Sequence, residues 1–280
     1  MRRASSLLLL LLSVFASAPA PGIEGVPAVT PSELGAHLRF LASDLLEGRA
    51  PGTRGDLLTQ AYIEASFRVS GLEPAFGQAY RQDVPIRLVT PDPKTTLEFV
   101  GAAGNASAGR FGDDFVIGFP RPESAGRVVA DVVFGGFGIE AKEWSWDDYK
   151  GADVKGKVLV LLAGEPGGDD PALFAGKTLT HHGRWRTKLE VAARHGAAGV
   201  LFVYTREGAG YGWEVVRNGW TRPVAYAPSN GGLVLEGWLS ENAAAQAARA
   251  AGLQHGELRA AANRRDFRPR GKSHHPPGSR

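Results

Sequence analysis

Residues 157–163 read KVLVLLA, and residues 199–204 read GVLFVY. Each run is continuously apolar over the length of a strand, which predicts two strands that are buried on both faces. Between them, Thr187 and Glu190 have the spacing of a capping box, and we expect the helix that begins there to end at Gly196. A strand, a helix and a second strand in this order predict a parallel pair joined by a right-handed crossover. The predicted fold class is therefore α/β.

Two helices are predicted near the N-terminus. Thr30, Pro31 and Glu33 have the spacing of a helix start, with Thr at the N-cap, Pro at the first position and Glu at the third. The apolar residues that follow share one face: Leu34, Leu38, Leu41 and Leu45. A second helix is expected over residues 56–70, capped by Gly71, after the turn-rich break GRAPGTRG at residues 48–55.

Short β segments separated by glycines follow these helices. The expected strands lie at residues 83–89, 95–100, 115–117 and 126–134. A further helix should begin after Ser240 and end at Gly252. The predicted organisation is a helical segment (30–90), an α/β domain (110–239), a linker helix (240–267) and a disordered tail (268–280).

The charge of the chain argues against a nucleic-acid partner. The formal net charge is +3, but six basic residues and one acidic residue lie within residues 263–280. The remainder holds 26 basic and 28 acidic residues. A nucleic-acid-binding domain would instead present a basic face. We therefore interpret the basic run as a solvated tail.

Residues 1–18 have the organisation of a secretory signal peptide. Arg2 and Arg3 precede a nine-residue apolar stretch at residues 7–15, which is too short to span a bilayer. Small residues follow, and cleavage after Ala16 suits a signal peptidase better than cleavage after Ala18. The expected location is secreted or periplasmic, with no other transmembrane segment. Because the chain has no cysteine, its stability must come from core packing.

The sequence contains none of the common catalytic motifs. There is no G-x-S-x-G motif, no cysteine nucleophile and no His-Glu-x-x-His or His-x-Asp spacing. His181 and His182 are adjacent, and adjacent side chains point apart on a strand and about 100° apart on a helix. Asp147 and Asp148 are expected to be solvated loop carboxylates. The sequence therefore predicts no catalytic residue, no metal ligand and no cofactor held by this chain.

An aromatic cluster allows two interpretations. Four aromatic residues lie within 36 positions: Trp185, Tyr211, Trp213 and Trp220. They belong either to a domain core with amphipathic edges or to a surface that contacts a peptide or another domain, where Trp, Tyr and Arg are enriched. Under the second interpretation, the candidate binding residues are His181, Arg184, Trp185, Tyr211 and Trp213.

Two stretches resemble a known peptidase family. Residues 41–74 (LASDLLEGRAPGTRGDLLTQAYIEASFRVSGLEP) are similar to the N-terminal segment of the secreted di-zinc aminopeptidases, the family that includes glutamate carboxypeptidase and the transferrin receptor. Residues 147–162 (DDYKGADVKGKVLVLL) and 188–204 (KLEVAARHGAAGVLFVY) resemble the protease-associated domain that precedes the zinc domain in that family. The resemblance covers about residues 30–267. It implies a β-sandwich-like domain with flanking helices, and a family activity in which two zinc ions and a glutamate base release N-terminal residues from peptides.

The family's zinc ligands have no counterpart in this sequence. Its zinc domain opens with His-x-Asp and later supplies further carboxylates and a histidine, whereas here the resemblance fades after Pro269. We therefore expect a truncated homologue that is inactive alone and whose partner is a peptide or the missing peptidase domain. The alternative is a stand-alone protease-associated module that binds peptides or another protein chain.

Overall fold

The structure, a computed structural model, describes residues 28–101, 103–121, 126–168, 170–227 and 232–271. The predicted signal peptide and the tail beyond residue 271 lie outside the described residues. The chain divides into two compact units, Met1–Asp83 and Val84–Arg280. Within the described ranges, every helix is too short or too polar to cross a bilayer.

The first unit contains two α-helices and a 3-10 segment between them: α1 (Pro31–Leu41), the segment Asp44–Arg49 and α2 (Arg54–Val69). The capping box of α1 is confirmed, since the Glu33 N–H donates to Thr30 Oγ1 at 3.2 Å and the Thr30 N–H donates to Glu33 Oε2 at 2.9 Å. The end of α2 is also as predicted. Gly71 has a φ of +71°, and the Leu72 N–H donates to the Phe67 carbonyl at 3.0 Å.

The start of α2 differs from the sequence expectation because Gly55 is a helical residue and not part of the break. A Cβ atom at Gly55 would lie 1.8 Å from the Leu46 carbonyl oxygen, so α2 approaches the 3-10 segment as closely as glycine allows. Leu46 and Gly55 are the buried residues among those described in this unit, and α1 buries none. The unit therefore has very little core of its own.

The second unit is built on strands. Those described in it are β1 (Arg87–Val89), β2 (Glu98–Gly101), β3 (Gly104–Ser107), β4 (Phe115–Gly118), β5 (Val132–Phe134), β6 (Glu140–Ala141), β7 (Trp146–Asp147), β8 (Val158–Leu162), β9 (Gly199–Val203), β10 (Val224–Tyr226) and β11 (Leu235–Leu239). The main sheet has the order β4-β11-β9-β8-β5, in which β4 alone is antiparallel to its neighbour. The parallel pairing of β8 with β9 confirms the sequence prediction.

Several α-helices are described in the second unit. They are α3 (Trp185–Arg194), α4 (Arg206–Ala209), α5 (Trp213–Trp220), α6 (Glu241–Ala250) and α7 (His255–Ala262). The side chains of β8 alternate between two hydrophobic clusters: Val160 belongs to the cluster with α6 and α7, and Leu161 to the cluster with α3 and α5. This alternation is the reason that every residue of β8 must be apolar.

Helix α3 begins earlier than the sequence predicted. Its N-cap is Arg184, not Thr187, and its first residue is Trp185, while its end near Gly196 is as expected. Just upstream, the Thr180 side chain caps the 3-10 turn His181–Gly183. This turn leads directly into α3, so the helix begins two residues before the predicted Thr187.

The segment predicted as a linker helix contains two helices and belongs to the core. Ser240 caps α6 as expected, and Leu258 of α7 is buried against the sheet. Phe267 is also buried, with its ring 5.9 Å from that of Phe134. Arg270, placed by the sequence in a disordered tail, exchanges two backbone hydrogen bonds with Phe134 on β5. The ordered chain therefore continues past residue 267 because the edge of the sheet binds it.

These elements show the mixed α/β class. The stability of the second unit should depend on the burial of β8 on both of its faces. Replacing Leu161, which is fully buried, by alanine should lower the free energy of unfolding by about 2–5 kcal/mol, because the substitution leaves a cavity. Val129, which is 81% exposed, is the control, and its replacement by alanine should change the free energy of unfolding by less than about 0.5 kcal/mol. Urea unfolding followed by circular dichroism measures both, and equal effects would contradict the assigned burial.

Candidate functional site

Several buried or paired ionisable side chains lie near the point where the chain leaves β8. In open α/β sheets, ligands bind beyond the carboxyl ends of the parallel strands. At this end the chain passes from Leu162 through Gly164, which has a φ of +80°, to Glu165. A Cβ atom at Gly164 would lie 2.9 Å from Gly208, so the turn is tightly packed as well as left-handed.

Glu165 holds the 3-10 turn His181–Gly183 in place. Its carboxylate accepts hydrogen bonds from the Thr180 N–H at 3.1 Å and the Gly183 N–H at 2.8 Å, and also from the Thr180 hydroxyl. The Thr180 Oγ1 in turn accepts the His182 N–H at 3.2 Å. A Cβ atom at Gly183 would lie 2.7 Å from Glu165 Cγ, so glycine is required for this approach. The turn is thus held at both of its ends by hydrogen bonds to side chains.

This turn places the two adjacent histidine rings side by side. The ring centroids of His181 and His182 are 3.8 Å apart, with an angle of 39° between the ring planes. The expectation that adjacent histidines point apart is therefore wrong here. It assumed a regular strand or helix, whereas both residues lie on a single tight turn with a pinned backbone. His182 is buried and His181 is exposed.

Glu143 joins the two histidines from a different part of the chain. It lies on the 3-10 turn Lys142–Trp144, and its Oε1 is 2.7 Å from His182 Nε2. This hydrogen bond holds the pKa of Glu143 below its usual range. Glu143, His181 and His182 each offer a ligand atom, and these atoms lie within 4.8 Å of one another. Glu143 is not among the residues predicted from the sequence, because nothing in the local sequence links it to a turn nearly 40 positions away.

A buried phenylalanine connects the two turns. Phe174 is fully buried, and its ring stacks on Trp144 at 5.4 Å and meets His182 edge-on at 5.9 Å. Trp144 is the neighbour of Glu143 on the first turn, and His182 lies on the second. The spacing between Glu143 and the histidines is therefore set by packing around one aromatic ring.

Lys188 is buried beneath the same end of β8. It lies on α3, is 1% exposed, and its Nζ donates to the carbonyls of Leu162 at 2.8 Å and Gly164 at 2.5 Å. Burial lowers the pKa of Lys188 to about 7, and the nearby charges of Asp148 and Glu165 oppose this shift. The lysine thus satisfies carbonyl groups that the end of the strand leaves without a ladder partner.

Asp148 is the second buried ionisable group, and its expected place in a solvated loop is wrong. Its side chain is fully buried and accepts hydrogen bonds from the N–H groups of Phe137 and Ile139, both at 3.1 Å, and from Trp146 Nε1 at 2.9 Å. Burial raises the pKa of Asp148 to about 6, although these donors and the charge of Lys188 oppose the rise. The neighbouring Asp147 is exposed, as expected, and its Oδ1 accepts the Tyr149 N–H.

The five candidate binding residues fall into two groups. His181 lies beside Glu143, and the exposed Arg184 follows it on the same turn. The other three, Trp185, Tyr211 and Trp213, are partly buried and pack against the cluster on the α3 and α5 face. These three aromatic residues therefore lie at the edge of the core. The Trp213 indole N–H donates a hydrogen bond to the Gly112 carbonyl at 3.0 Å.

His195 lies at the end of α3. It is the C-cap residue, its ring stacks on Tyr149 at 4.0 Å, and its Nε2 is 2.8 Å from Glu140 Oε1. This second histidine–glutamate pair has nearly the same spacing as His182 and Glu143.

Comparisons of the chain with protein-family models, with curated proteins and with solved structures found no match. The interpretation of the site consequently depends on its own geometry.

The buried lysine should make stability depend on pH. The pKa of Lys188 is about 7 in the folded chain against an ordinary 10.5, so between these values the unfolded chain binds more protons. Stability should therefore rise with pH above 7, by at most about 1.4 kcal/mol per pH unit, and fall as pH drops towards 7. In Lys188→Met this rise should be absent, while Lys94→Met, which removes an exposed lysine, should retain it. Urea unfolding at several pH values tests this, and parallel profiles for the parent and Lys188→Met would refute it.

Proposed function

We infer that this chain is the non-catalytic front part of an exported metallo-aminopeptidase of the family that it resembles. Its helical first unit and its α/β unit, proposed here to be a protease-associated domain, would bind the zinc catalytic domain. The chain would not hydrolyse peptides by itself. The proposal rests on one structural observation, the uncovered apolar face of the first unit, together with the sequence resemblance.

Apolar side chains of α1 and α2 lie largely open to solvent. Leu34 and Leu38 on α1 are 53% and 56% exposed, and Leu58 on α2 is 40% exposed. Other large apolar side chains of this unit are exposed as well: Phe40, Leu45, Leu57, Ile63, Phe67, Val69 and Leu72. A surface helix normally turns such a stripe towards a core. Large exposed apolar patches mark contact sites for proteins, membranes or ligands.

Covering this face would contribute substantial binding free energy. Each Å² of apolar surface removed from water is worth about 25 cal/mol, so several hundred Å² would contribute several kcal/mol. A folded polypeptide domain supplies apolar area of that size, whereas a short polar peptide does not. The resemblance identifies the zinc domain as the partner, because in that family it follows the protease-associated domain.

The α/β unit is compatible with the proposed protease-associated domain. Its main sheet is covered on both faces by helices, and the residues that carry the resemblance, 147–162 and 188–204, include β8 and β9. The proposed location, secreted or periplasmic, rests on the signal-like residues 1–18. Hydrolase and proteolysis functions belong, in this proposal, to the assembled peptidase.

The alternative, a stand-alone module that binds peptides or another protein chain, has weaker support. Its candidate surface needed the three aromatic residues Trp185, Tyr211 and Trp213 to face a ligand. Their partial burial against the core and the internal hydrogen bond of Trp213 leave mainly His181 and Arg184 available.

The apolar face can be tested with an isolated partner. The zinc catalytic domain of a secreted di-zinc aminopeptidase of this family, produced without its own front part, should bind the chain in isothermal titration calorimetry. The double variant Leu38→Asp with Leu58→Asp should weaken this binding at least tenfold, because it places two charges in the contact. The control Val129→Asp, at an exposed apolar residue of the other unit, should bind like the parent. Absence of binding by a monodisperse parent chain would overturn the proposal.

The proposed inactivity of the chain alone gives a separate prediction. The purified chain, incubated with an aminoacyl anilide and zinc ions, should release no more aniline product than buffer, because it lacks the family's ligand set. Hydrolysis that copurifies with the chain and scales with its concentration would contradict this.

A further inference from the structure

We propose that Glu143, His181 and His182 form a binding site for one divalent transition-metal ion, of which Zn²⁺ is the best fit. This site is independent of the proposed peptidase role and is made entirely of residues in the α/β unit.

The donor set has the chemistry of such a site. A set of two imidazole nitrogens and one carboxylate oxygen suits Zn²⁺ and the neighbouring first-row metal ions. Catalytic zinc sites commonly have three protein ligands and one open position. Ca²⁺ and Mg²⁺ prefer sets made of oxygen atoms alone. Glu143 and His181 are exposed, so a water molecule or another ligand can reach the fourth position.

The distances require only a small adjustment. Zinc–nitrogen and zinc–oxygen bonds of about 2.0 Å in a tetrahedron place neighbouring ligand atoms about 3.3 Å apart. The three ligand atoms already lie within 4.8 Å of one another, and Glu143 Oε1 is 2.7 Å from His182 Nε2. An ion would replace this hydrogen bond. Rotation of the exposed Glu143 and His181 side chains would close the shell, and it would also part the two histidine rings, whose centroids lie 3.8 Å apart.

The surrounding residues hold the histidine turn and the His182 ring in place without an ion. Glu165 fixes the backbone of the histidine turn at Thr180 and Gly183, and the buried Phe174 packs against both Trp144 and His182. Binding therefore requires little ordering of the chain, which favours affinity. An ion at this place would cross-link the turns Lys142–Trp144 and His181–Gly183.

Zinc titration of the full, untagged chain provides the test. At about pH 7.5, above the ordinary histidine pKa of about 6.5, calorimetry with ZnCl₂ should show one specific site with a dissociation constant in the micromolar range or below. Loss of a partner outside the ligand shell already costs about 10–100-fold in metal affinity, so His181→Ala and Glu143→Gln should each weaken zinc binding at least about tenfold. Both residues are exposed, and circular dichroism of each variant should match that of the parent.

Two controls separate this site from other histidines. The chain has a second adjacent pair, His274 and His275, and the double alanine variant at these positions should bind zinc like the parent. His195→Ala removes the other histidine–glutamate pair, which lacks a third ligand, and should also leave the affinity unchanged.

The cross-link supplies a second readout. Zinc should slow amide hydrogen exchange in residues 142–144 and 181–183 of the parent but not of His181→Ala. The proposal is overturned if the parent binds no zinc at micromolar concentration, if binding survives His181→Ala, or if it disappears in the His274 and His275 variant.

Discussion

The parallel pairing of β8 with β9 creates a two-faced apolar layer, and both faces must be removed from water. The positions of the helices follow from this requirement. On one face α6 and α7 cover Val160 and its neighbours, and on the other face α3 and α5 cover Leu161. The segment after Ser240 therefore cannot act as a passive connection, because removing α6 and α7 would expose the core residues that pack against them.

The end of this layer explains why polar groups cluster where they do. A strand that stops in the interior leaves carbonyl groups that need donors, and Lys188 supplies them at Leu162 and Gly164. An ammonium group in that place is costly to bury, and its charge favours the ionised form of Asp148 nearby. Glu165, immediately beyond, organises the histidine turn. Residues at one strand terminus thus hold both the buried charges and the histidine turn.

Local sequence predicted those features whose causes are local. The Thr30 capping box, the Gly71 cap and the continuous apolar runs of β8 and β9 each express their structure within a few residues. The burial of Asp148 and the convergence of Glu143 with His181 and His182 depend on contacts made through the folded chain. Hydrophobic periodicity carries no information about the Phe137 and Ile139 N–H groups that solvate Asp148, nor about a 3-10 turn held by Glu165. The early start of α3 was missed because its N-cap, Arg184, makes no side-chain cap hydrogen bond and directly follows the capped turn His181–Gly183.

The short β-bridge between Phe134 and Arg270 affects whether copies of this chain can aggregate through their sheet edges. Strand β5 lies at the margin of the main sheet, where unpaired N–H and C=O groups would act as a template for a foreign strand. Arg270 occupies both groups of Phe134, at 2.7 Å and 2.9 Å, and a Cβ atom on the adjacent Gly271 would lie 2.7 Å from the Val132 carbonyl oxygen. The chain thus shields its own margin with two residues, one of them charged, and strand-to-strand aggregation along β5 would first have to displace them.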